Sequence, residues 1–289
     1  MKHLVIFFLI IAAFISSTSA QITDTPPGAM AISYETSNYA GVNYNQKLHR
    51  KFERPFSITC YIYKDSATGL FSISEAEVLL AVNRMNEHFE PIGFTFNVCE
   101  FIYVPNFQYN NYVWDKHGYE PMVLYRKDNN INLHVPTTVS GTGITNAGGG
   151  GFASHPSDAY SFIFIETPIV SSSNQLTHLM GHYFGLFDTF EAAFGLEFVD
   201  QSNCSTSGDL MCDTNADAIN ISTTGPPECR VINSFRDGNG DYYLPPTDNF
   251  MSNHYSAGSD CRVRFSLGQF YKMYVEVTNP NSRRYNLAW

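Results

Sequence analysis

Basic residues are scarce in this chain: 17 Lys and Arg stand against 27 Asp and Glu, a formal net charge of -10. A nucleic-acid binder needs a basic face to neutralise phosphates, so the balance argues against that partner class. Long apolar runs are missing after the first twenty residues. Nothing later approaches the ~18 apolar residues of a membrane span, so no membrane partner is expected. No internal repeat occurs, and the cysteine spacing matches no zinc finger. The glycine run Gly148 to Gly151 has no Lys-Ser/Thr behind it and opens no obvious helix. It therefore reads as a mobile turn and not as a phosphate loop.

What is present begins with MKHLVIFFLIIAAFISSTSA (1–20), a basic start, an apolar run and small residues ending at Ala20. This layout reads as a secretory signal cut after Ala20, which places the mature protein in a secreted or extracytoplasmic compartment, periplasmic or extracellular. Residues 21–54 are polar and irregular and read as an N-terminal extension; no distinctive motif marks them as a pro-segment. The rest, 55–289, is long enough for one large domain or two lobes around a cleft. Six cysteines (Cys60, Cys99, Cys204, Cys212, Cys229, Cys261) in an exported chain are most economically three disulfides. The sequence does not choose among the pairings.

FSITCYIY (56–63) is rich in β-branched and aromatic residues and predicts a strand. Ser74 and Glu77 form a capping box for a helix whose stripe is Val78, Val82, Met85 and Phe89, stopped by Pro91. GFTFNVCEFIYV (93–104) alternates and predicts a second strand. Strand, helix, strand suggests parallel neighbours joined by a crossover, which would let Cys60 face Cys99. INLHV (131–135) and YSFIFIE (160–166) predict further strands, with His134 and His155 read as ordinary strand and loop residues. The chain is loop-rich after 191 until SLGQFYKMYVEV (266–277), where Phe270, Met273 and Tyr274 predict a closing helix.

The stretch QLTHLMGHYFGLFDTFE (175–191) carries the chemistry. On a helix, positions four apart lie one above the other, so His178 and His182 can meet one metal ion. Gly185, three residues past the second histidine, permits the left-handed turn that ends a helix. The chain can then swing back and offer Asp188, whose oxygen is an acceptable zinc ligand beside two imidazoles.

His178-x-x-x-His182-x-x-Gly185-x-x-Asp188 resembles the metzincin motif H-E-x-x-H-x-x-G-x-x-H, and Asp248-Asn249-Phe250-Met251-Ser252 resembles the Met-turn that should follow it. Gly181 to Phe187 with Thr189-Phe190-Glu191, Gly208-Asp209-Leu210-Met211-Cys212-Asp213-Thr214, and Cys261-Arg262 followed by Phe265-Ser266-Leu267-Gly268-Gln269 resemble the corresponding blocks of pappalysin-like metzincins. The match runs well over 155–275 and loosely from 56. The resemblance implies an α+β metzincin fold: a twisted five-stranded mixed sheet with helices in an upper lobe (about 55–185), an irregular disulfide-tied lower lobe (about 186–289) and a peptide cleft between them. It implies one Zn2+ on His178, His182 and Asp188, with Met251 as the hydrophobic base beneath.

The departures fall on the chemistry. Leu179 stands where the family carries the glutamate that exchanges protons with attacking water and leaving amine. A positioned base contributes about 10²–10⁴-fold, or roughly 3–5 kcal/mol of barrier. Asp188 replaces the third histidine, Asn215 the proline of the "CDTP" stretch, and Asn253 the tyrosine that would stabilise the oxyanion. Glu191 is the one substitute base the sequence offers, and His254 the one substitute donor. The expectation is a secreted, metal-binding metallopeptidase homologue with impaired catalysis, a pseudoenzyme that takes a peptide or protein partner in the cleft. An active zinc endopeptidase with an atypical base and a metal-free adhesion module are the two alternatives. Asp237, Asn239 and Asp241 are spaced like the start of a calcium loop, a candidate Ca2+ site that lacks the twelfth-position glutamate, and a turn is the competing reading. Asn203-Cys204-Ser205 and Asn220-Ile221-Ser222 fit the N-glycosylation sequon, which carries meaning only in a chain of eukaryotic source.

Overall fold

The computed structural model describes residues 52, 54–142, 150–233, 235–256 and 259–288, so the signal-like segment and nearly all of the N-terminal extension lie outside the described residues. Strand β1 (Pro55–Tyr63) is buried at almost every position, as a strand covered on both faces must be. It lies between β2 (Thr95–Val104) and β4 (Ile131–Val135), parallel to both. With β3 (Asn111–Val113) and β5 (Thr138–Ser140) set apart as a parallel pair, the main sheet is completed by β6 (Gly151–Ala153) and β7 (Ile163–Ile165). Its order is β2-β1-β4-β7-β6, and only β6 runs antiparallel. This is the five-stranded mixed sheet that the resemblance implies.

The period of two along β1 sorts its side chains between the faces. Phe56, Ile58, Cys60 and Ile62 join the main core. Tyr61 and Tyr63 join an aromatic cluster on the other face with Val104 and Tyr109. The main core is closed by two helices. The first, α1 (Glu75–Phe89), has the expected Ser74/Glu77 capping box and buries Val78, Ala81, Val82, Met85 and Phe89. Of these, the Val, Met and Phe side chains contribute about 1.5–3 kcal/mol each when fully buried. After the short helices α2 (Trp114–His117), α3 (Glu120–Leu124) and α4 (Thr167–Val170) comes the second, α5 (Gln175–Tyr183), buried at every residue.

From Tyr183 to the closing helix α6 (Leu267–Thr278) the described chain has no element longer than a pair of two-residue strands. Disulfides Cys204–Cys212 and Cys229–Cys261 tie this region. Polar side chains in the family-like blocks hold it to α6. Asp213 accepts from the Ser266 hydroxyl at 2.9 Å and the Gly268 amide at 2.7 Å. Gln269, in the capping box of α6, exchanges amide hydrogen bonds with Asn249 at 2.9 and 3.2 Å.

Two sequence expectations need correction. Cys60 and Cys99 do not bridge: both are free thiols, Cys60 buried and Cys99 exposed. The register pairs Ile58 with Val98 and Thr59 with Glu100, so Cys99 is the extra residue of a bulge, while Cys60 sits opposite Phe101 and faces the core. The glycine run is not simply a turn either. Gly148 and Gly149 lie outside the described residues, but Gly151 opens strand β6. A Cβ there would stand 2.3 Å from the Phe164 carbonyl oxygen and 2.9 Å from Leu179 Cδ1, so only glycine lets β6 lie this close to β7 and α5.

Candidate metal centre

The helix α5 ends in a Schellman motif dictated by Gly185, which adopts φ +91°. The Gly185 amide donates to His182 O at 2.9 Å and the Leu186 amide to Gly181 O at 3.0 Å. The turn has two consequences. It reverses the chain so that Asp188 returns to the helix, and it brings Leu186 O within 2.9 Å of His182 Nδ1. A second backbone carbonyl, Phe250 O of the Met-turn, lies 2.7 Å from His178 Nδ1.

A carbonyl oxygen can only accept, so both Nδ1 atoms carry a proton, and Nε2 is the atom each neutral imidazole would present to a metal. Those two Nε2 atoms are 3.1 Å apart. Asp188 Oδ1 lies 3.5 Å from His178 Nε2 and 3.3 Å from His182 Nε2. All three side chains are almost fully buried, and neither oxygen of Asp188 has a hydrogen-bond donor. The two Nε2 atoms and Asp188 Oδ1 thus converge in a dry site, a donor set suited to a cation. Two imidazoles and one carboxylate fit Zn2+. Among the described residues this is the sole group of three or more His, Cys, Asp or Glu side chains close enough to share an ion.

The Met-turn supports the group from below. Met251 is fully buried, and its Sδ lies 2.5 Å from where a Cβ on Gly181 would stand, so the helix can rest on it only because residue 181 is glycine. Met251 O accepts from the Thr189 amide at 3.0 Å, next to Asp188. Asn249 Oδ1 accepts from the Met251 amide at 2.8 Å and holds the turn.

The remaining candidate residues have contacts of their own. Leu179 is fully buried within the main core, under Gly151 of β6. Asn253 donates through Nδ2 to Ile219 O at 3.4 Å, while its Oδ1 is buried with no partner among the described residues. His254 turns to Thr223 and Asp217: its Nδ1 is 3.4 Å from Thr223 Oγ1 and its Nε2 4.0 Å from Asp217 Oδ2. Burial holds the His254 imidazole down at about 4 and pushes the Asp217 carboxyl up to about 7. Glu191 is buried, and its Oε1 accepts from the amides of Ala192 and Ala193 at 2.9 and 2.8 Å. Burial raises its carboxyl, and nearby Asp188 adds to the rise. Asp237 commits Oδ1 to the amides of Asn239 and Asp241 and Oδ2 to the amide of Val199, each at 2.8 to 2.9 Å. His134 is stacked between Tyr61 and Phe164 with Nδ1 2.7 Å from the Tyr63 hydroxyl, and His155 stacks on Phe187.

Sequence reasoning missed the two carbonyls, Leu186 O and Phe250 O, that fix the histidine tautomers. A backbone carbonyl carries no letter of its own; the only signals were Gly185 and the Met-turn, which fold it into place.

No family model matches the chain, and no curated protein matches it. Solved structures do. Mirolysin in complex with compound 9 superimposes with a TM-score of 0.57 at 13% identity, covering 83% of this chain and 97% of that one. Tannerella forsythia mature mirolysin in complex with a cleaved peptide gives 0.54 at 13% identity, with the same coverage. Tannerella forsythia promirolysin, as a point mutant, gives 0.53 at 13% identity over 83% of this chain and 86% of that one. At this identity the likeness is one of fold: the chain has a fold like that of mirolysin.

Proposed function

We propose that this protein is an exported, metal-binding homologue of the pappalysin-like metzincins that engages a peptide or protein segment without cutting it at protease rates. One observation carries the reading. His178, His182 and Asp188 converge in a buried site close enough to share an ion, while the helix position between the histidines is filled by a leucine sealed in the core.

The chain's own residues divide the work. His178, His182 and Asp188 would hold Zn2+, oriented by Phe250 O, Leu186 O and the turn at Gly185. A bound Zn2+ supplies Lewis acidity toward a peptide carbonyl. Hydrolysis also needs a group that takes a proton from water and returns one to the leaving amine, and Leu179 can do neither. Glu191, whose Oε1 accepts two backbone amides, would have only Oε2 left for that role. His254 and Asn253 are turned to Asp217, Thr223 and Ile219, which leaves the developing oxyanion without the family's donor.

Export is supported by the two disulfides, and no helix among the described residues is long and apolar enough to cross a membrane. The peptide as partner is taken over from the fold: mirolysin of this fold has been solved with a cleaved peptide. The test is metal content and peptidase activity on the same purified protein, with and without a chelator. The expected result is one Zn2+ per chain, lost in the His178→Ala/His182→Ala double variant, with no chelator-sensitive cleavage. Robust chelator-sensitive cleavage would establish the active-peptidase alternative, and a metal-free preparation that cannot be loaded would establish the adhesion-module alternative.

A further inference from the structure

Neither of the two sequons takes part in the metal centre, and the fold treats them in opposite ways. Asn203 is half-buried and its side-chain amide is consumed internally: Oδ1 accepts from the Phe198 amide at 2.7 Å and Nδ2 donates to Leu196 O at 3.0 Å. The residue after it, Cys204, is buried and bonded to Cys212. A sugar on Asn203 Nδ2 would have to displace the Leu196 contact beside that disulfide.

Asn220 lies on an exposed turn, and its side-chain amide makes no hydrogen bond with a described residue. The turn itself is firmly held. Asn233 clamps it from both sides, its Nδ2 donating to Asn220 O at 2.7 Å and its Oδ1 accepting from the Ser222 amide at 2.6 Å. Ile221, between the two sequon residues, is buried with Ala216 and Tyr243. With Ile221 anchored inward, Asn220 and Ser222 are both exposed.

We propose that Asn220 is an N-glycosylation site of this chain and that Asn203 is not. The inference rests on the export reading, taken in its extracellular form with a eukaryotic source, since the modifying transferase acts in a eukaryotic secretory pathway. The substrate is a lipid-pyrophosphate-linked oligosaccharide ending in N-acetylglucosamine. Asn220 Nδ2 loses a proton and bonds to the anomeric carbon; the carbon–oxygen bond to the pyrophosphate breaks, and the lipid pyrophosphate leaves with the electron pair. The glycan then stands one residue from Ile219, whose carbonyl holds Asn253 of the Met-turn.

The test uses the full chain expressed in a eukaryotic secretory host, once with its own leader and once with a heterologous one. Intact mass before and after peptide-N-glycosidase, with peptide mapping, reads occupancy. Secreted wild type is expected to carry one glycan, with Asn converted to Asp at 220 on release. The glycan is lost in Asn220→Gln and in Ser222→Ala and kept in Ser205→Ala, which removes the other sequon without touching the hydrogen bonds of Asn203. Secreted wild type without a glycan, or a glycan lost in Ser205→Ala, overturns the proposal. If only the heterologous leader delivers protein to the medium, the export reading falls, and the occupancy of Asn220 in that secreted protein still decides the glycosylation site.

Discussion

Replacing Leu179 by glutamate asks whether the metal centre is a complete protease site missing one group. The side chain at 179 runs beneath β6, with Cδ1 2.9 Å from the position a Cβ on Gly151 would take, so a glutamate must follow the same slot. The stability cost has two parts. The variant forfeits the burial of Leu179, about 1.5–3 kcal/mol. It also buries a carboxylate, which adds to the cost unless a cation or a donor reaches it. The catalytic gain is the base itself, about 10²–10⁴-fold in turnover. The assay is a quenched-fluorescent peptide library with Zn2+-loaded protein, with and without chelator, beside a thermal melt. Wild type should cleave at the chelated baseline. Leu179→Glu should melt lower as the apoprotein, recover with Zn2+, and cleave at least about 10²-fold faster than wild type. Adding Asn253→Tyr should raise the rate again. The reasoning fails if folded, Zn2+-loaded Leu179→Glu shows no gain. It fails equally if wild type already turns over at about 1 s⁻¹ or more, the ordinary enzyme range.

The ligand trio predicts a reversal of sign with metal. Without Zn2+, Asp188→Asn should be as stable as wild type or more so, because it removes a buried charge with no donor; with Zn2+ at a hundred times its dissociation constant, wild type alone should gain about 2.7 kcal/mol. Equal melting shifts in both proteins would contradict this. Glu197 is buried with neither carboxylate oxygen paired, and burial, with Asp209 and Asp217 adding, pushes it from 4.5 to about 9. A carboxyl raised in the folded state keeps its proton there, so its contribution is fully present below 4.5 and lost as pH climbs toward 9. Melts across that window should fall for wild type and flatten for Glu197→Gln, which at pH 8 should be the more stable by roughly 1–3 kcal/mol. Thiol labelling should find one fast site, Cys99, and one that reacts only on unfolding, Cys60, whose thiol burial pushes far up; two slow thiols would contradict the β1–β2 register.

The parts of this fold legible in the sequence are those where one residue type has one structural use. The Ser74/Glu77 box, Pro91 after α1, and Gly185 after α5 each sit where the local chemistry demanded. The failures share a cause as well. Cys60 and Cys99 lie on neighbouring strands, but a one-residue bulge sends one to solvent and leaves the other in the core, and nothing local in the sequence marks a bulge. Strand β6 was hidden because its first residue is glycine for a tertiary reason, the approach of Phe164 and Leu179, which overrides the usual turn reading of a glycine run. At the candidate metal centre the three converging side chains could be named from spacing, while the two carbonyls that face the histidines' Nδ1 atoms could not.

That division also explains why a chain can keep the metal centre without its base. Gly181, Gly185, Asn249 and Met251 shape the ligand group, but each is equally a packing or hydrogen-bonding member of the fold: Gly181 seats Met251, Gly185 closes α5, and Asn249 pairs with Gln269 at the head of α6. Removing any of them damages stability whether or not the protein is an enzyme. Position 179 differs in kind. A glutamate there would serve the reaction at the cost of a buried carboxylate, whereas leucine there adds to the core cluster shared by α1, α5 and the sheet. On the proposed reading Leu179 stabilises the fold at the point where catalysis would require the opposite. A centre built this way would hold its cation as part of the architecture, so metal-dependent stability, more than peptide cleavage, is the property to measure first.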